Sequence, residues 1–299
     1  MNISGPGPPG GTELVSRIVE GVPWALRLGR WMTRSGIRGG YRLISIAERW
    51  GQFNVIARYQ LGGILFHVPL YREDNRWDDR DVEKYEERLV TAFCSALEGW
   101  PDVTLFDCGA DIGTFSALTV AHCPNVRQVL AFEPNSEVQE VLTMNLACLG
   151  VPATAIMKAV SSFTGEGVLI RPPYDASDHA RYLVPSCGGK IEVLTIDSLG
   201  VFAAHVAIKI DVEGGEAEVL KGAERTIRQA KKCVISLEAN PRVAGRSGRD
   251  PSEDLRYLSS IRKFSFLIAE TGQRVNAECS GLLSSQQDIV NVVASTEEN

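Results

Sequence analysis

The chain has 299 residues, 44% of them hydrophobic and 23% charged, and a net charge of −6. That balance describes a soluble globular chain long enough for one large domain with additions or for two domains. The negative sum argues against a nucleic-acid partner. The charge is uneven, however: residues 1–60 hold eight arginines against three glutamates, a local +5 that leaves −11 on the remainder. A basic first segment on an acidic body suggests a separate role for that segment. Seven cysteines, scattered and without a C-x-x-C pair, read as reduced core thiols of a cytosolic protein. The four histidines show no ligand spacing, so no structural zinc is expected. Residues 1–11 lack the build of a secretory leader, and no apolar run reaches the ~20 residues of a membrane span. The expected location is the cytoplasm.

In chain order, residues 1–12 are Gly/Pro-rich and read as a disordered tail. Residues 13–50 read as two short helices broken around Pro23 and Gly36–Gly40, with arginines interleaved among Trp24, Trp31 and Trp50. Such an arm suits peripheral contact with a membrane surface, or packing on the body or on a second copy of the chain; both alternatives stand at this point. "NVIARYQLGGILFHVPLY" (54–71) reads as a hairpin around Gly62-Gly63, closing an N-terminal extension over 13–79. A helix is expected from about Asp81 to Glu98, with Val82, Tyr85, Leu89, Phe93 and Leu97 on one face.

From residue 103 the rhythm changes. Apolar runs of strand length ("VTLFD", "VLAFE", "TAIMKAV", "VAIKID", "CVISLE") alternate with helical patterns over 114–122, 136–149 and 215–229. Alternation of this kind predicts an α/β domain over 80–299, a parallel sheet with helices on both faces. "FSFLIAE" (264–270) and "DIVNVVA" (288–294) have no strong helical pattern between them and predict an antiparallel pair at one edge. Residues 171–190 read as an irregular lid over substrate.

Ligands of open α/β sheets bind beyond the carboxyl ends of the strands. "LFDCGADIGTF" places Asp107 at such an end, and Gly109 and Gly113 allow a tight turn and close backbone approach. The loop departs from G-x-G-x-x-G and lacks the Lys-Ser/Thr of a phosphate cradle. Asp107 and Asp111 also make it acidic, which suits a cationic ligand. Glu133, ending the next strand 26 residues after Asp107, can accept both ribose hydroxyls of an adenosine. Together they favour a nucleoside bearing positive charge over a pyrophosphate. In "IKIDVEGGE", Lys209, Asp211 and Glu213 alternate as a strand ends, so they share one face. Charged groups among Ile and Val are costly to bury unless paired or bound to something.

"FDCGADIGTFS", "AFEPNSEVQEVLTMNL", "KAVSSFTGEG" and "IKIDVEGGEAEVLKGA" occur in the order seen in FkbM-type methyltransferases, which the chain resembles over about residues 80–295. The resemblance implies the class I, Rossmann-like fold with a seven-stranded sheet and an antiparallel terminal pair. It also implies S-adenosyl-L-methionine as cofactor. The chain carries Asp111 where the family usually has Asn, and Cys108 where it usually has Val. By resemblance, Asp107, Gly109, Ala110, Asp111 and Gly113 line the methionine end. Glu133, Pro134 and Asn135 serve the ribose and adenine, Ala159, Val160 and Ser161 cover the adenine, and Tyr85 and Glu86 close from the opposite side. The implied reaction is O-methylation of a sugar, glycan or polyketide-type natural product.

An alcohol acceptor needs a general base or a metal that polarises its oxygen. Asp211 is the first candidate, with Lys209, Glu213, Glu238 and His179 as further catalytic candidates. Asp211, Glu213 and Glu238 could instead hold Mg²⁺ through oxygen ligands; the residues leave base and metal open. A nicotinamide-dependent oxidoreductase would require a G-x-G-x-x-G loop that is not apparent. A non-catalytic adenosine-binding module would not require the charges at 209–216.

Overall fold

The computed structural model describes residues 17–51, 54–70, 82–171, 181–240, 250–278 and 289–297. The expected tail and His179 lie outside these residues. The chain divides into two compact units, Met1–Arg58 with Pro69–Arg76, and Tyr59–Val68 with Trp77–Asn299.

The first unit holds β1 (Arg17–Glu20), α1 (Trp24–Arg34) and α2 (Gly40–Arg49). β1 runs parallel to the first half of β2 (Val55–Leu61). β2 turns back into β3 (Ile64–Pro69) through Gly62 and Gly63, at φ +55° and +83°. Two consecutive left-handed residues are what a tight two-residue hairpin demands, and glycine takes them without steric cost.

The second unit is a three-layer α/β structure. After the hairpin residues Tyr59–Val68 it continues with α3 (Glu87–Ala96), shorter than the periodicity predicts because Glu86 adopts φ +44° and breaks the first turn. Then follow β4 (Val103–Cys108), α4 (Thr114–His122), β5 (Val126–Phe132), α5 (Gln139–Ala147) and β6 (Ala153–Ile156). The segment expected as one strand over 154–160 splits. β7 (Ala159–Val160) joins β8 (Gly165–Ile170), β9 (Tyr182–Pro185) and β10 (Ile191–Leu194) in a separate sheet of order β7-β10-β8-β9. The stretch read as irregular thus contains strand β9, paired antiparallel with β8. The main domain resumes with β11 (His205–Ile210), α6 (Glu216–Gly222), α7 (Glu224–Gln229) and β12 (Lys232–Ala239). α8 (Ser252–Ile261), which the sequence analysis does not anticipate, precedes β13 (Phe264–Ile268), β14 (Arg274–Val275) and β15 (Val290–Thr296).

The main sheet has the order β14-β13-β15-β12-β11-β4-β5-β6. β12, β11, β4, β5 and β6 are parallel, while β15 inserts antiparallel between β12 and β13. This is the class I methyltransferase arrangement, seven strands with an antiparallel terminal pair, extended by the two-residue β14. The central strands are buried on both faces, which is why β4 is buried along its whole length and reads as a continuous apolar run. On one face Phe106, Phe132, Ile208 and Ile235 pack with Val219 and Leu220 of α6, Ile227 of α7 and Leu255 and Leu258 of α8. Elsewhere in this unit Phe93 of α3 meets Phe115 of α4 edge-on, with centroids 5.2 Å apart.

The "TIDSL" run has a structural use. Asp197 accepts hydrogen bonds from the backbone N–H groups of Arg225 and Thr226, at 2.9 and 2.8 Å, and from the Thr226 hydroxyl at 2.8 Å. It satisfies donors that the first turn of α7 cannot pair internally.

Candidate active site

The order of the strands reverses between β4 and β11, where ligands of such sheets bind. Parallel register sets Asp107 of β4, Lys209 of β11 and Ser236 of β12 side by side, so all three project from the same face. Lys209 and Asp107 are buried. Lys209 Nζ lies 3.0 Å from Asp211 Oδ2 and 3.8 Å from Asp107 Oδ1, and it donates to the Gly109 carbonyl at 2.8 Å. Burial alone would depress the ammonium's pKa, but Asp211 and Asp107 outweigh it and hold Lys209 charged well above its ordinary range. Burial raises the Asp107 carboxyl, opposed by Lys209 and by the Ser116 hydroxyl, which donates to Oδ2 at 2.6 Å.

The loop after β4 is shaped by close backbone approach. Gly109 sits at φ +80°, and a Cβ there would lie 1.8 Å from the Asp211 carbonyl oxygen. The Gly109 and Ala110 N–H groups both donate to the Phe132 carbonyl at 3.0 Å, and Asp211 N–H to the Cys108 carbonyl at 3.1 Å. Gly113, at φ +85°, caps α4, and a Cβ there would come within 3.1 Å of Leu142. Asp111 takes φ +48°; Asp and Asn are the residues besides glycine that tolerate this region.

Glu133, one residue beyond β5, binds this loop. Its Oε2 accepts from Asp111 N–H at 3.0 Å and its Oε1 from Asn135 N–H at 2.8 Å. Burial pushes Glu133 up to about 7. Its own N–H donates to the Ile156 carbonyl at 3.1 Å, so the chain leaving β6 runs beside this corner. Ala159, Val160 and Ser161 follow, all buried; the first two form β7, and Ser161 N–H donates to the Leu194 carbonyl at 3.0 Å.

The turn that breaks α3 points Tyr85 and Glu86 at the cluster. Burial raises Glu86 to about 7, with Lys209 lowering it and Asp211 and Asp107 raising it. Burial followed by Glu86 raises the Tyr85 phenol well above its usual range. On the far side, Ile210 pairs with Leu237, which sets Asp211 beside Glu238. Burial, then Asp211 and Glu213, push Glu238 well above the carboxylate range, while Asn240 donates to its Oε1 at 2.9 Å. Glu213 adopts φ +56°. Its loop is tied by Glu216 Oε1, which accepts from Gly214 N–H at 2.9 Å and Val212 N–H at 3.4 Å. Glu86, Asp111 and Glu213 are non-glycine residues in the left-handed region, and such strain concentrates at functional sites.

One buried ammonium therefore faces the carboxyl groups of Asp107, Asp211 and Glu86. Asp107 Oδ1 and Glu86 Oε2 are buried with no hydrogen-bond partner. Orphaned acceptors beside surplus negative charge fit a ligand that brings cationic donors. Mg²⁺ fits less well. Among the described residues no three Asp, Glu, His or Cys side chains are grouped to hold a metal ion.

A family model described as "Methyltransferase FkbM domain" matches residues 107–268, more than half of the chain, from Asp107 to the end of β13. The chain belongs to the FkbM methyltransferase family. As a member, it is an S-adenosylmethionine-dependent methyltransferase. A curated relative, hexuronic acid methyltransferase AglP of Haloferax volcanii, is 27% identical over 207 residues, 68% of this chain and 80% of the relative. Similar solved structures include M. jannaschii TYW2 in complex with AdoMet (TM-score 0.41, 12% identity, 80% of this chain and 84% of that one). Another is a precorrin-6y C5,15-methyltransferase from Geobacter metallireducens (TM-score 0.36, 14% identity, 72% and 90%).

Two residues of this FkbM domain escape sequence analysis. Ser116 bonds Asp107, and Asn145 of α5 spans two segments. Fully buried, Asn145 accepts from His67 N–H at 2.7 Å and lies 3.1 Å from His67 Nδ1. It donates to the carbonyls of His67 and Ile112, at 2.9 and 2.8 Å. It thus ties the end of the hairpin to the loop between Gly109 and Gly113. The available signal is an asparagine between Met144 and Leu146 in the largely apolar stretch "VLTMNLA". No helix among the described residues is long and apolar enough to cross a membrane.

Proposed function

We propose that this enzyme is an O-methyltransferase whose acceptor is a hydroxyl of a sugar, free, in a glycan or on a glycosylated natural product. The observation that carries the proposal is Asp211: its side chain is 24% exposed whereas those of Lys209 and Asp107 are 4% and 0%. Asp211 is the member of the cluster that opens outward, with Oδ2 fixed by Lys209. The sugar class rests on likeness to the hexuronic acid methyltransferase.

When bound, the cofactor supplies an electrophilic methyl group on a sulfonium. Asp107 and Glu86 offer their orphaned oxygens to its ammonium, and the loop from Gly109 through Ala110 and Asp111 to Gly113 lines its methionine end. Glu133, braced on the Asp111 and Asn135 amides, accepts the ribose hydroxyls beside Pro134. Ala159, Val160 and Ser161 flank the adenine, and Tyr85 excludes water from the opposite side.

Lys209 holds Asp211 in one orientation, so that Oδ1 receives the acceptor's O–H and takes its proton as the C–O bond forms. Glu238, kept protonated by burial and by its acidic neighbours, donates to a second acceptor hydroxyl without repelling Asp211. Glu213, at φ +56° in the loop after β11, closes the acceptor side.

The test is transfer of labelled methyl from S-adenosylmethionine to a panel of hexuronate-containing glycans, neutral hexosides and glycosylated natural products. The expected product is an ether whose label survives mild alkali. Release of the label as methanol would mean a methyl ester on a carboxylate and would refute O-methylation of a hydroxyl. Asp211→Asn should bind S-adenosylhomocysteine like the wild type while turnover falls roughly 10²–10⁴-fold.

A further inference from the structure

Helices α1 and α2 carry a surface that methyl transfer does not use. The two helices meet through glycines: a Cβ on Gly40 would lie 2.5 Å from the Gly29 carbonyl oxygen, and one on Gly29 2.5 Å from Ile44 Cγ1. The residues they bury are small or aliphatic, namely Ala25, Leu26 and Gly29 on α1 and Gly40, Ile44 and Ala47 on α2. The large aromatic side chains lie on the outside. Trp24 is 70% exposed, Trp31 57%, Tyr41 73% and Trp50 77%.

These exposed residues are ordered. Trp24, Leu28 and Trp31 follow i, i+4, i+7 spacing and share one stripe of α1, beside exposed Arg27 and Arg34. Arg42, Ile46 and Arg49 form the matching stripe of α2, all exposed and followed by Trp50. Residues 24–50 contain six arginines, no lysine and one acidic residue, Glu48, and three of the chain's five tryptophans. A helix whose only neighbour is water turns its polar face outward. Here the outward face alternates indole and guanidinium.

We propose that the outer faces of α1 and α2 seat this enzyme on an anionic lipid bilayer, with the indoles at headgroup depth and the arginines on lipid phosphates. Charge decides against a second copy of the chain as occupant. Two copies meeting through these faces would place arginine against arginine, because a two-fold contact repeats the same patch on both sides. Arginine and tryptophan are enriched at protein interfaces as well, so a protein partner is the occupant read when the full chain stays in solution with anionic vesicles. The lipid headgroup layer accommodates both side chains at once, since it is wet, anionic and bounded by hydrocarbon.

The experiment uses the full chain with sonicated vesicles of phosphatidylglycerol and phosphatidylcholine, and of phosphatidylcholine alone. Sedimentation with the anionic vesicles at low salt, loss of binding at high salt and a blue shift of tryptophan emission are expected. Each arginine near an anionic surface is worth about a fivefold change in partitioning. The triple variant Arg27→Glu, Arg42→Glu, Arg49→Glu should therefore bind at least on the order of a hundredfold more weakly. Trp24→Ser with Trp31→Ser should lose most of the blue shift, Trp50 keeping the remainder. Both variants alter exposed side chains, and unchanged helix content by circular dichroism verifies their fold. The proposal is overturned if the full chain stays in solution with anionic vesicles at low salt. It also falls if the variants bind as the wild type does, or if they change the mass seen by light scattering while vesicle binding is absent throughout.

Discussion

Replacing Gly109 by alanine tests the site through its tightest contact. The residue sits at φ +80°, and its added Cβ would meet the Asp211 carbonyl oxygen at 1.8 Å. Holding a non-glycine residue in this region costs about 1–2 kcal/mol. Relieving the collision requires β4 and the chain leaving β11 to part by more than ~1 Å, comparable to overpacking a core, which costs about 1–3 kcal/mol. A loss of roughly 3 kcal/mol should lower Tm by about 6–12 °C for a domain of this size. Function should suffer more than stability. The shift moves Asp211, breaks the Lys209 bond to the Gly109 carbonyl at 2.8 Å and reshapes the loop proposed to hold the cofactor. A displacement near ~1 Å at a reacting group costs on the order of 10²-fold in rate. Labelled methyl transfer, calorimetry with S-adenosylhomocysteine and a thermal melt measure the three effects. A variant with wild-type turnover and Tm would refute the close packing of the two strand ends and the role given to Asp211.

Three other outcomes are expected. Glu133→Ala should weaken S-adenosylhomocysteine binding by at least tenfold, roughly the ~1.4 kcal/mol of one charge-assisted hydrogen bond; wild-type affinity by calorimetry would remove Glu133 from the site. Asn145→Ala should cost about 3–5 kcal/mol by denaturant unfolding, since it strands buried groups of His67 and Ile112, and a loss below ~1 kcal/mol would deny the tether. Glu86, Glu133 and Glu216 titrate near 7 rather than 4.5 because burial disfavours their charge. A folded pKa above the unfolded one gives stability that is complete below about 4.5 and lost as the pH rises through about 7. The cofactor-free protein should thus melt lower at pH ~8 than at pH ~5.5, and a Tm that rises across that window would contradict the buried carboxyls.

Much of the fold is legible in the sequence because its signals are local. Strands buried on both faces leave unbroken apolar runs such as "VTLFD" and "VAIKI", and Gly62-Gly63 fixes a hairpin without help from the rest of the chain. Carboxylates at successive strand ends mark the ligand edge of the sheet for the same reason. Where local signals are weak, the sequence misleads. The polar, glycine-rich stretch from Ala159 onward conceals a four-stranded sheet, since its short strands gain definition only by pairing, β10 with both β7 and β8. The helix expected from Asp81 breaks at Glu86, which no propensity demands.

The sequence by itself determined the α/β class, the polarity of the sheet and which acidic residues lie at its carboxyl edge, because each follows from the period of side chains along one segment. Only the tertiary structure decided that a single ammonium, Lys209, is shared by Asp107 and Asp211, and that Glu86 arrives from a helix outside the sheet. It alone set Asn145 between His67 and Ile112, 78 and 33 residues away from it in sequence. Such pairings depend on register and on the crossing of distant elements. The free energy that selects them comes from burying charge beside charge, a quantity that no stretch of chain carries until the fold is closed.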